Sequence, residues 1–409
     1  MADSQNRVVI VGAGQAGAWV ATTLRELDPN RPIVLVGEEP HPPYERPPLS
    51  KSILAGTSSI QSAYIKPYEF YATNAIELWL NTTVSRINRN QRQIIFENGK
   101  SLRYGTLVLA TGARARALTV PGANLKCVYT LRTAENAEML RTLLISGKRV
   151  VVIGAGLIGL ELAAAAIVAG CIVTVLDAFT GAMGRVVDPS VGKAITDMHR
   201  AKGVKFYFSE TITEIVENGD GPEIVLGSGK RLSADLIVAG IGGIPNTELA
   251  IEAGIECTDG IRVDAFGRTS DPHIYAAGDI TCHANPLLGR SLRLESWQNA
   301  QNQGIAIAKV IAGGDDPYSE LPWFWTDQYD NNFQIIGAPE VWDRVIWRGA
   351  PQDAKYTVIY MNGARIVAAN TLNNARDVRP LKVMILNHRS VGDSVLSDPA
   401  TSLMKLAQS

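Results

Sequence analysis

Val8-Val9-Ile10-Val11-Gly12-Ala13-Gly14-Gln15-Ala16-Gly17 joins a short β-branched run to a glycine-rich turn and an alanine-rich apolar helix. A second apolar run, Ile33-Val34-Leu35-Val36, follows, with Glu38 just past its end. The same order recurs far along the chain: Val150-Val151-Val152-Ile153, then Gly154-Ala155-Gly156-Leu157-Ile158-Gly159, a helix, Ile172-Val173-Thr174-Val175-Leu176, and Asp177. A lone GxGxxG is weak evidence, because glycine-rich turns are common. Two of them, each in strand–turn–helix–strand–acid context, specify two βαβ dinucleotide-binding units in one chain.

The spacing carries a mechanism. The first glycine permits the tight turn, the second lets the backbone approach a pyrophosphate, and the third lets helix and strand pack closely. The phosphates then meet free N–H groups at the positive end of the helix dipole. The acid accepts hydrogen bonds from ribose hydroxyls. Gly12, Gly14, Ala16, Gly17 and Glu38 are the candidates in the first unit; Gly154, Gly156, Ile158, Gly159 and Asp177 are those in the second.

Three further apolar runs end in small residues: Leu107–Gly112, Leu236–Asn246 and Ile274–Asp279. In open parallel sheets ligands bind at the carboxyl ends of strands, which makes Ala110, Thr111, Gly112, Gly242, Gly278 and Asp279 candidates. From about Pro322 the texture changes. Tyr356–Ile359 and Arg365–Ala368 flank Asn362-Gly363, a strong hairpin signal, and suggest a small α+β domain with antiparallel strands.

Bulk properties bound the rest. The 409 residues imply two or three domains, and 46% hydrophobic with 19% charged residues is ordinary for a globular chain. A formal net charge of -1 favours neither nucleic acid nor an anionic membrane as partner. Cys127, Cys171, Cys257 and Cys282 are scattered without a CxxC, so thiols in a reducing compartment are expected, with no metal site. Leu162–Leu176 carries no charge but is short of the roughly 20 residues that span a bilayer. A buried helix followed by a buried parallel strand explains it better. The N-terminal residues show no signal-peptide pattern, and the expectation is a cytoplasmic protein.

Two dinucleotide sites suggest that two cofactors meet. The economical pairing is FAD held in the first unit and NAD(P)H visiting the second, so that hydride passes between them while the protein supplies position and electrostatics. Asp177 should face the ribose 2′-OH, and a 2′-phosphate there would meet a like charge. Ala178-Phe179-Thr180 supplies no arginine to compensate, so NADH is expected over NADPH.

The chain resembles the ferredoxin reductases of bacterial aromatic-ring dioxygenase and cytochrome P450 systems. Beyond the two glycine motifs, the resemblance rests on Pro43-Tyr44-Glu45-Arg46-Pro47-Pro48-Leu49-Ser50-Lys51, Ala110-Thr111-Gly112, Thr130-Leu131-Arg132-Thr133 and Ala239-Gly240-Ile241-Gly242. It continues through Ala277-Gly278-Asp279, Glu295-Ser296-Trp297-Gln298-Asn299-Ala300 and Pro322-Trp323-Phe324-Trp325-Thr326-Asp327-Gln328. It implies an α/β protein with two Rossmann-like dinucleotide-binding domains, a glutathione reductase-like flavoprotein fold, plus a C-terminal α+β domain. The implied divisions are 1–112 with 245–318 for FAD, 113–244 for NAD, and 319–409 for the C-terminal domain.

By position, the resemblance makes Ala16, Glu38, Arg46, Lys51, Val84, Arg132, Asp279 and Trp297 FAD contacts. Taken alone, Arg132 reads as a surface ion pair and Val84 as plain core. The resemblance also pairs Lys51 with Glu161 where flavin and nicotinamide meet, and sets Trp323 and Trp325 between flavin and a [2Fe–2S] ferredoxin. Aromatic clusters are more often simply core. Such ferredoxins are usually acidic, so Arg290, Arg293, Arg344 and Arg348 are candidate steering residues.

The implied activity is NADH-dependent reduction of a ferredoxin that feeds a ring-hydroxylating dioxygenase, or alternatively a P450. A disulfide reductase is excluded: it needs a redox CxxxxC after the first βαβ unit, and residues 40–56 contain no cysteine. An interaction protein like apoptosis-inducing factor shares much of the fold but usually carries targeting sequence and insertions.

Overall fold

The computed structural model describes residues 6–219 and 221–408. Residues 1–5, on which the reading of the N-terminus partly rests, lie outside the described residues. The chain forms two compact units. The first takes residues up to Arg46, Ser59–Arg114 and Ile244–Pro322; the second takes Pro47–Ser58, Ala115–Gly243 and the residues from Trp323 on.

At the centre of the first unit is a five-stranded parallel sheet, in the order Ile274–Ala276, Thr106–Leu109, Val8–Val11, Ile33–Val36, Ile76–Trp79. Val8–Val11 and Ile33–Val36 are wholly buried, which is why they read as unbroken β-branched runs rather than as alternation. On one face, Val20, Ala21 and Leu24 of the helix Gln15–Leu27 share a core with Ile307 and Ala308 of the helix Trp297–Ile311. The other face packs with Ile87, Ile94 and Phe96 of a three-stranded antiparallel sheet.

The second unit repeats the plan. Its parallel sheet runs Lys205–Phe208, Ile172–Asp177, Arg149–Ile153, Leu236–Ala239, Val128–Thr130. In both sheets the glycine-motif strand is central, with its βαβ partner on one side and a later strand on the other. They differ at the edge. In the first unit the strand beyond the later one follows it in sequence, whereas in the second that place is taken by Val128–Thr130, which precedes the glycine motif. The uncharged stretch resolves into the helix Leu157–Val168 and the strand Ile172–Asp177. Among the described residues no helix is long and apolar enough to cross a membrane.

Residues from Trp323 on form a five-stranded antiparallel sheet, in the order Trp323–Gln328, Asn331–Ile336, Arg365–Leu372, Tyr356–Asn362, Arg344–Arg348. The expected hairpin is present, but its turn is one residue further on. Asn362 pairs with Arg365, so Gly363-Ala364 is the turn, and Gly363 supplies the positive φ of 57°. The fold is α/β: two Rossmann-like parallel sheets plus a C-terminal antiparallel α+β part.

Candidate active site

Both glycine loops are shaped alike. Gly12 has φ +114° and a Cβ there would sit 2.1 Å from the Ala110 carbonyl oxygen; Gly154 has φ +107° and would meet the Gly240 oxygen at 2.4 Å. A Cβ on Gly17 or Gly159 would lie 2.0 Å from the carbonyl oxygen of the loop's own first glycine. The middle glycines differ in kind: around Gly14 and Gly156 a Cβ would meet nothing within 4 Å. Each caps a helix whose first turn has neither a side-chain cap nor an acid. Open space beside unsatisfied N–H groups fits a pyrophosphate at each loop.

In the first unit, Ala16 is buried and its methyl would lie 2.9 Å from a Cβ on Gly278, so the two approach closely. Gln303, which sequence reasoning missed, is buried here. It accepts from Gly278 N at 2.7 Å and Thr281 Oγ1 at 3.0 Å, fixing the turn that carries Asp279. Thr111 and Asn246 lock Ala110-Thr111-Gly112: Thr111 Oγ1 donates to the Asn246 carbonyl at 3.0 Å, and Asn246 Nδ2 donates to the Thr111 carbonyl at 2.8 Å. Glu38 is exposed, while the neighbouring Glu39 accepts from Arg46 Nη2 at 2.8 Å and Tyr44 OH at 2.5 Å. Trp297 begins a helix capped by Ser296, and with the Gln15 amide set by its neighbours, the Trp297 indole N–H donates to Gln15 at 3.2 Å. Val84 lies in the apolar core, so any ligand contact there goes through its backbone.

In the second unit, Asp177 does not stand free. Its carboxylate accepts from Ala155 N at 2.5 Å and Phe179 N at 2.8 Å, tying the acid to the glycine loop. A cation is also closer than the sequence suggested. The Arg185 guanidinium lies 4.9 Å above the Phe179 ring, eight residues past Asp177, where inspection of 178–180 alone misses it. Gly242 opens towards the same arginine, whose Nη1 is 4.0 Å from where a Cβ would stand. Ile158, on the first helical turn after the loop, is 47% exposed. Arg132 is half-buried, and its backbone N–H donates to Asn136 Oδ1 at 3.1 Å.

Lys51 and Glu161 are brought together, with Nζ–Oε1 at 2.8 Å and Glu161 only 5% exposed. Glu161 Oε1 also accepts from Thr326 Oγ1 at 2.7 Å and Asp327 N at 3.2 Å, and its Oε2 accepts from Ser50 Oγ. A buried carboxylate is tolerable only with such company. Ser50, Thr326 and Asp327 were not foreseen. Along Trp323–Gln328, successive side chains alternate: Thr326 and Gln328 are buried, while Trp323, Trp325 and Asp327 share the other face. The two indoles stack at 5.2 Å with 26° between planes. Trp323 donates to Gln334 at 2.9 Å and Trp325 donates to Asp327 Oδ2 at 3.1 Å. Lys382 Nζ lies 4.6 Å above the Trp323 ring, and Lys51 Nζ is 4.0 Å from Asp327 Oδ2.

The candidate steering arginines Arg348, Arg344 and Arg293 have partners within the protein. Arg348 is buried and donates to the carbonyls of Leu396, Asp398, Pro399 and Thr401, so it stitches the C-terminal segment and is not a docking residue. Arg344 pairs with Asp343 at 2.8 Å and Asp393 at 2.9 Å. Arg293 pairs with Asp259 at 2.9 Å and also with Glu295.

Comparison with known proteins agrees with this geometry. Residues 6–304 match the model of the pyridine nucleotide-disulphide oxidoreductases, and residues 323–407 match that of the reductase C-terminal domain. The chain is 40% identical to the anthranilate 1,2-dioxygenase system ferredoxin–NAD(+) reductase component of Burkholderia cepacia, over 98% of this chain and 99% of that one. It is 38% identical to putidaredoxin reductase of Pseudomonas putida, over 99% and 97%. Among solved structures, the ferredoxin reductase for the CYP199A2 system from Rhodopseudomonas palustris superposes with a TM-score of 0.95 at 38% identity, covering 98% of this chain and 100% of that one.

Proposed function

Because the chain belongs to the pyridine nucleotide-disulphide oxidoreductases, we propose that it is an NADH-dependent flavoprotein reductase that passes single electrons to a [2Fe–2S] ferredoxin. That ferredoxin would feed a ring-hydroxylating dioxygenase. A P450 system is the second reading, favoured by the similarity to putidaredoxin reductase and to the CYP199A2-system reductase. The observation that carries the proposal is the pair of glycine loops, each facing open space at its middle glycine.

Bound FAD would supply chemistry that no side chain can, hydride acceptance from NADH and release of the two electrons singly. The protein's own residues hold and orient. In the first unit Gly12, Gly14, Ala16 and Gly17 would receive the FAD pyrophosphate and Glu38 its ribose. Arg46, Val84, Ala110, Thr111, Gly112, Gly278, Asp279 and Trp297 complete the FAD set there, and the family resemblance adds Lys51 and Arg132 as further FAD candidates. Gly154, Gly156, Ile158, Gly159, Asp177 and Gly242 would hold NADH. The tie between Asp177 and the glycine loop supports a ribose-facing carboxylate. Arg185, which lies over the Phe179 ring, would lessen the discrimination against NADPH. Glu161, paired with Lys51 at 2.8 Å, would orient the nicotinamide carboxamide and is not an obligatory acid or base, since hydride transfer needs none. Trp325 and Trp323 mark the exit towards the ferredoxin. On this reading the chain comprises an FAD domain (1–112 and 245–318), an NAD domain (113–244) and a C-terminal domain (319–409), and we propose that the enzyme works in the cytoplasm.

The test is NADH-driven reduction of cytochrome c with and without an added [2Fe–2S] ferredoxin. Fast reduction that requires the ferredoxin supports the proposal. Equal rates with and without it overturn it.

A further inference from the structure

We propose that His199 and Gln328 are positioning residues for Glu161: with Thr326 they form a directed hydrogen-bond chain that fixes its carboxylate, an inference that rests on placing Glu161 at the reacting end of the NADH site.

The chain can be read outward from the carboxylate. Thr326 has one hydroxyl hydrogen, and at 2.7 Å from Glu161 Oε1 that hydrogen belongs to the carboxylate, which when ionised can only accept. The hydroxyl oxygen is then left to accept, and Gln328 Nε2 donates to it at 3.2 Å. With the amide nitrogen turned to Thr326, the Gln328 oxygen faces His199 Nε2 at 2.8 Å, so Nε2 must carry the proton. His199 Nδ1 is therefore the acceptor, and Tyr329 OH lies 3.1 Å from it. Every donor points towards Glu161. Burial holds the imidazole below its ordinary pKa, more than the Gln328 contact raises it, so His199 stays neutral and keeps one tautomer. An amide in the middle cannot hand a proton along, so the chain orients and does not conduct.

Two features set this apart from polar groups merely satisfied. His199, Thr326 and Gln328 are each at most 2% exposed, and apolar residues of similar shape would fill such positions at no cost in buried polarity. Tyr329, in the two-residue turn after Gln328, has φ 56°, a left-handed conformation that strains a non-glycine residue. Its ring lies 5.1 Å from that of His199, and its hydroxyl is what that backbone delivers. Strain held in place by a chain of donors ending on one carboxylate is the pattern of a pre-organised site.

The experiment uses the flavin-loaded enzyme and the variants Gln328→Met, His199→Met, His199→Gln and Glu161→Gln. Gln328→Met and His199→Met should lower the limiting rate of flavin reduction at saturating NADH about tenfold, the size of one mis-set hydrogen bond. The dissociation constant for NAD+ should stay within about twofold, because pyrophosphate and ribose contacts carry it. His199→Gln keeps an N–H donor and should recover most of the rate. In 15N-histidine-labelled enzyme, His199 should show the Nε2–H tautomer from about pH 6 to 8, and Gln328→Met should abolish that preference. Adding Gln328→Met to Glu161→Gln should cause no further loss. If Glu161→Gln alone reduces flavin at the wild-type rate, the placement of Glu161 at the NADH site is wrong. If Glu161→Gln is slow while the Gln328 and His199 variants are not, or if His199→Gln is as slow as His199→Met, the positioning role alone is overturned.

Discussion

His283 should make the first unit acid-sensitive, and His283→Phe should remove that sensitivity. The imidazole lies on Thr281–Asn285, is 1% exposed, and neither ring nitrogen has a hydrogen-bond partner among the described residues. Tyr318 packs against it with ring centroids 5.4 Å apart. Burial alone lowers its pKa from 6.5 to about 4. Because the folded pKa is depressed, the unfolded chain binds a proton that the folded chain refuses. Stability is therefore intact above pH 6.5 and falls as the pH drops from 6.5 towards 4. The fall from 6.5 to about 4 corresponds to a full loss of about 3 kcal/mol, of which about 2 kcal/mol is reached by pH 5. Phenylalanine fills a similar volume and does not titrate. Denaturant unfolding of both proteins at pH 7 and pH 5 measures the difference, since other titrating groups cancel between them. The variant should lose about 2 kcal/mol less over that interval. Equal losses in the two proteins would refute the reasoning.

Gly14→Val should yield colourless protein, because a side chain fills the open space that the pyrophosphate needs; full flavin content in the purified variant would contradict this. Discrimination at Asp177 should favour NADH over NADPH by about tenfold or more in kcat/KM: two like charges about 4 Å apart cost roughly 4 kcal/mol at an effective dielectric near 20, of which only about 1.4 need survive screening and the nearby Arg185. Equal kcat/KM values for the two nucleotides would remove that assignment. Trp325→Ala, and less so Trp323→Ala, should spare flavin reduction by NADH in single-turnover kinetics but slow ferredoxin reduction; wild-type ferredoxin rates in both variants would make the indoles simple packing. Arg348→Ala should destabilise the protein by about 3 kcal/mol in denaturant unfolding, by orphaning buried carbonyls, while the folded variant reduces ferredoxin normally. Loss of ferredoxin turnover without loss of stability would restore a docking role.

Both dinucleotide units were legible because their signals are local: β-branched runs buried on both faces, glycines at fixed offsets, and an acid after the second strand. What was missed depends on distance along the chain or on a one-residue choice. Ser50 and Thr326 converge on Glu161 from 111 and 165 residues away, and no local pattern reports such a meeting. The alternation in Trp323–Gln328 was a usable sign that Thr326 and Gln328 face inward. The aromatic residues drew attention to the other face. Arg348 looked available because arginines are usually exposed, yet its strand position turns it inward onto four carbonyls. Glu38 and Glu39 are equivalent in sequence, and only the folded loop assigns Glu39 to Arg46. The hairpin turn sits at Gly363-Ala364 because cross-strand register, set by the sheet, decided between adjacent dipeptides.

The central claim is a two-electron entry coupled to one-electron exits. Its most direct test is an anaerobic titration of the flavin-loaded enzyme with NADH in excess [2Fe–2S] ferredoxin, counting reduced ferredoxin per NADH consumed. The account predicts two ferredoxins per NADH, with NADH oxidation stopping when oxidised ferredoxin runs out. NADH oxidation that leaves the ferredoxin oxidised, or a flavin that NADH does not reduce, would contradict it.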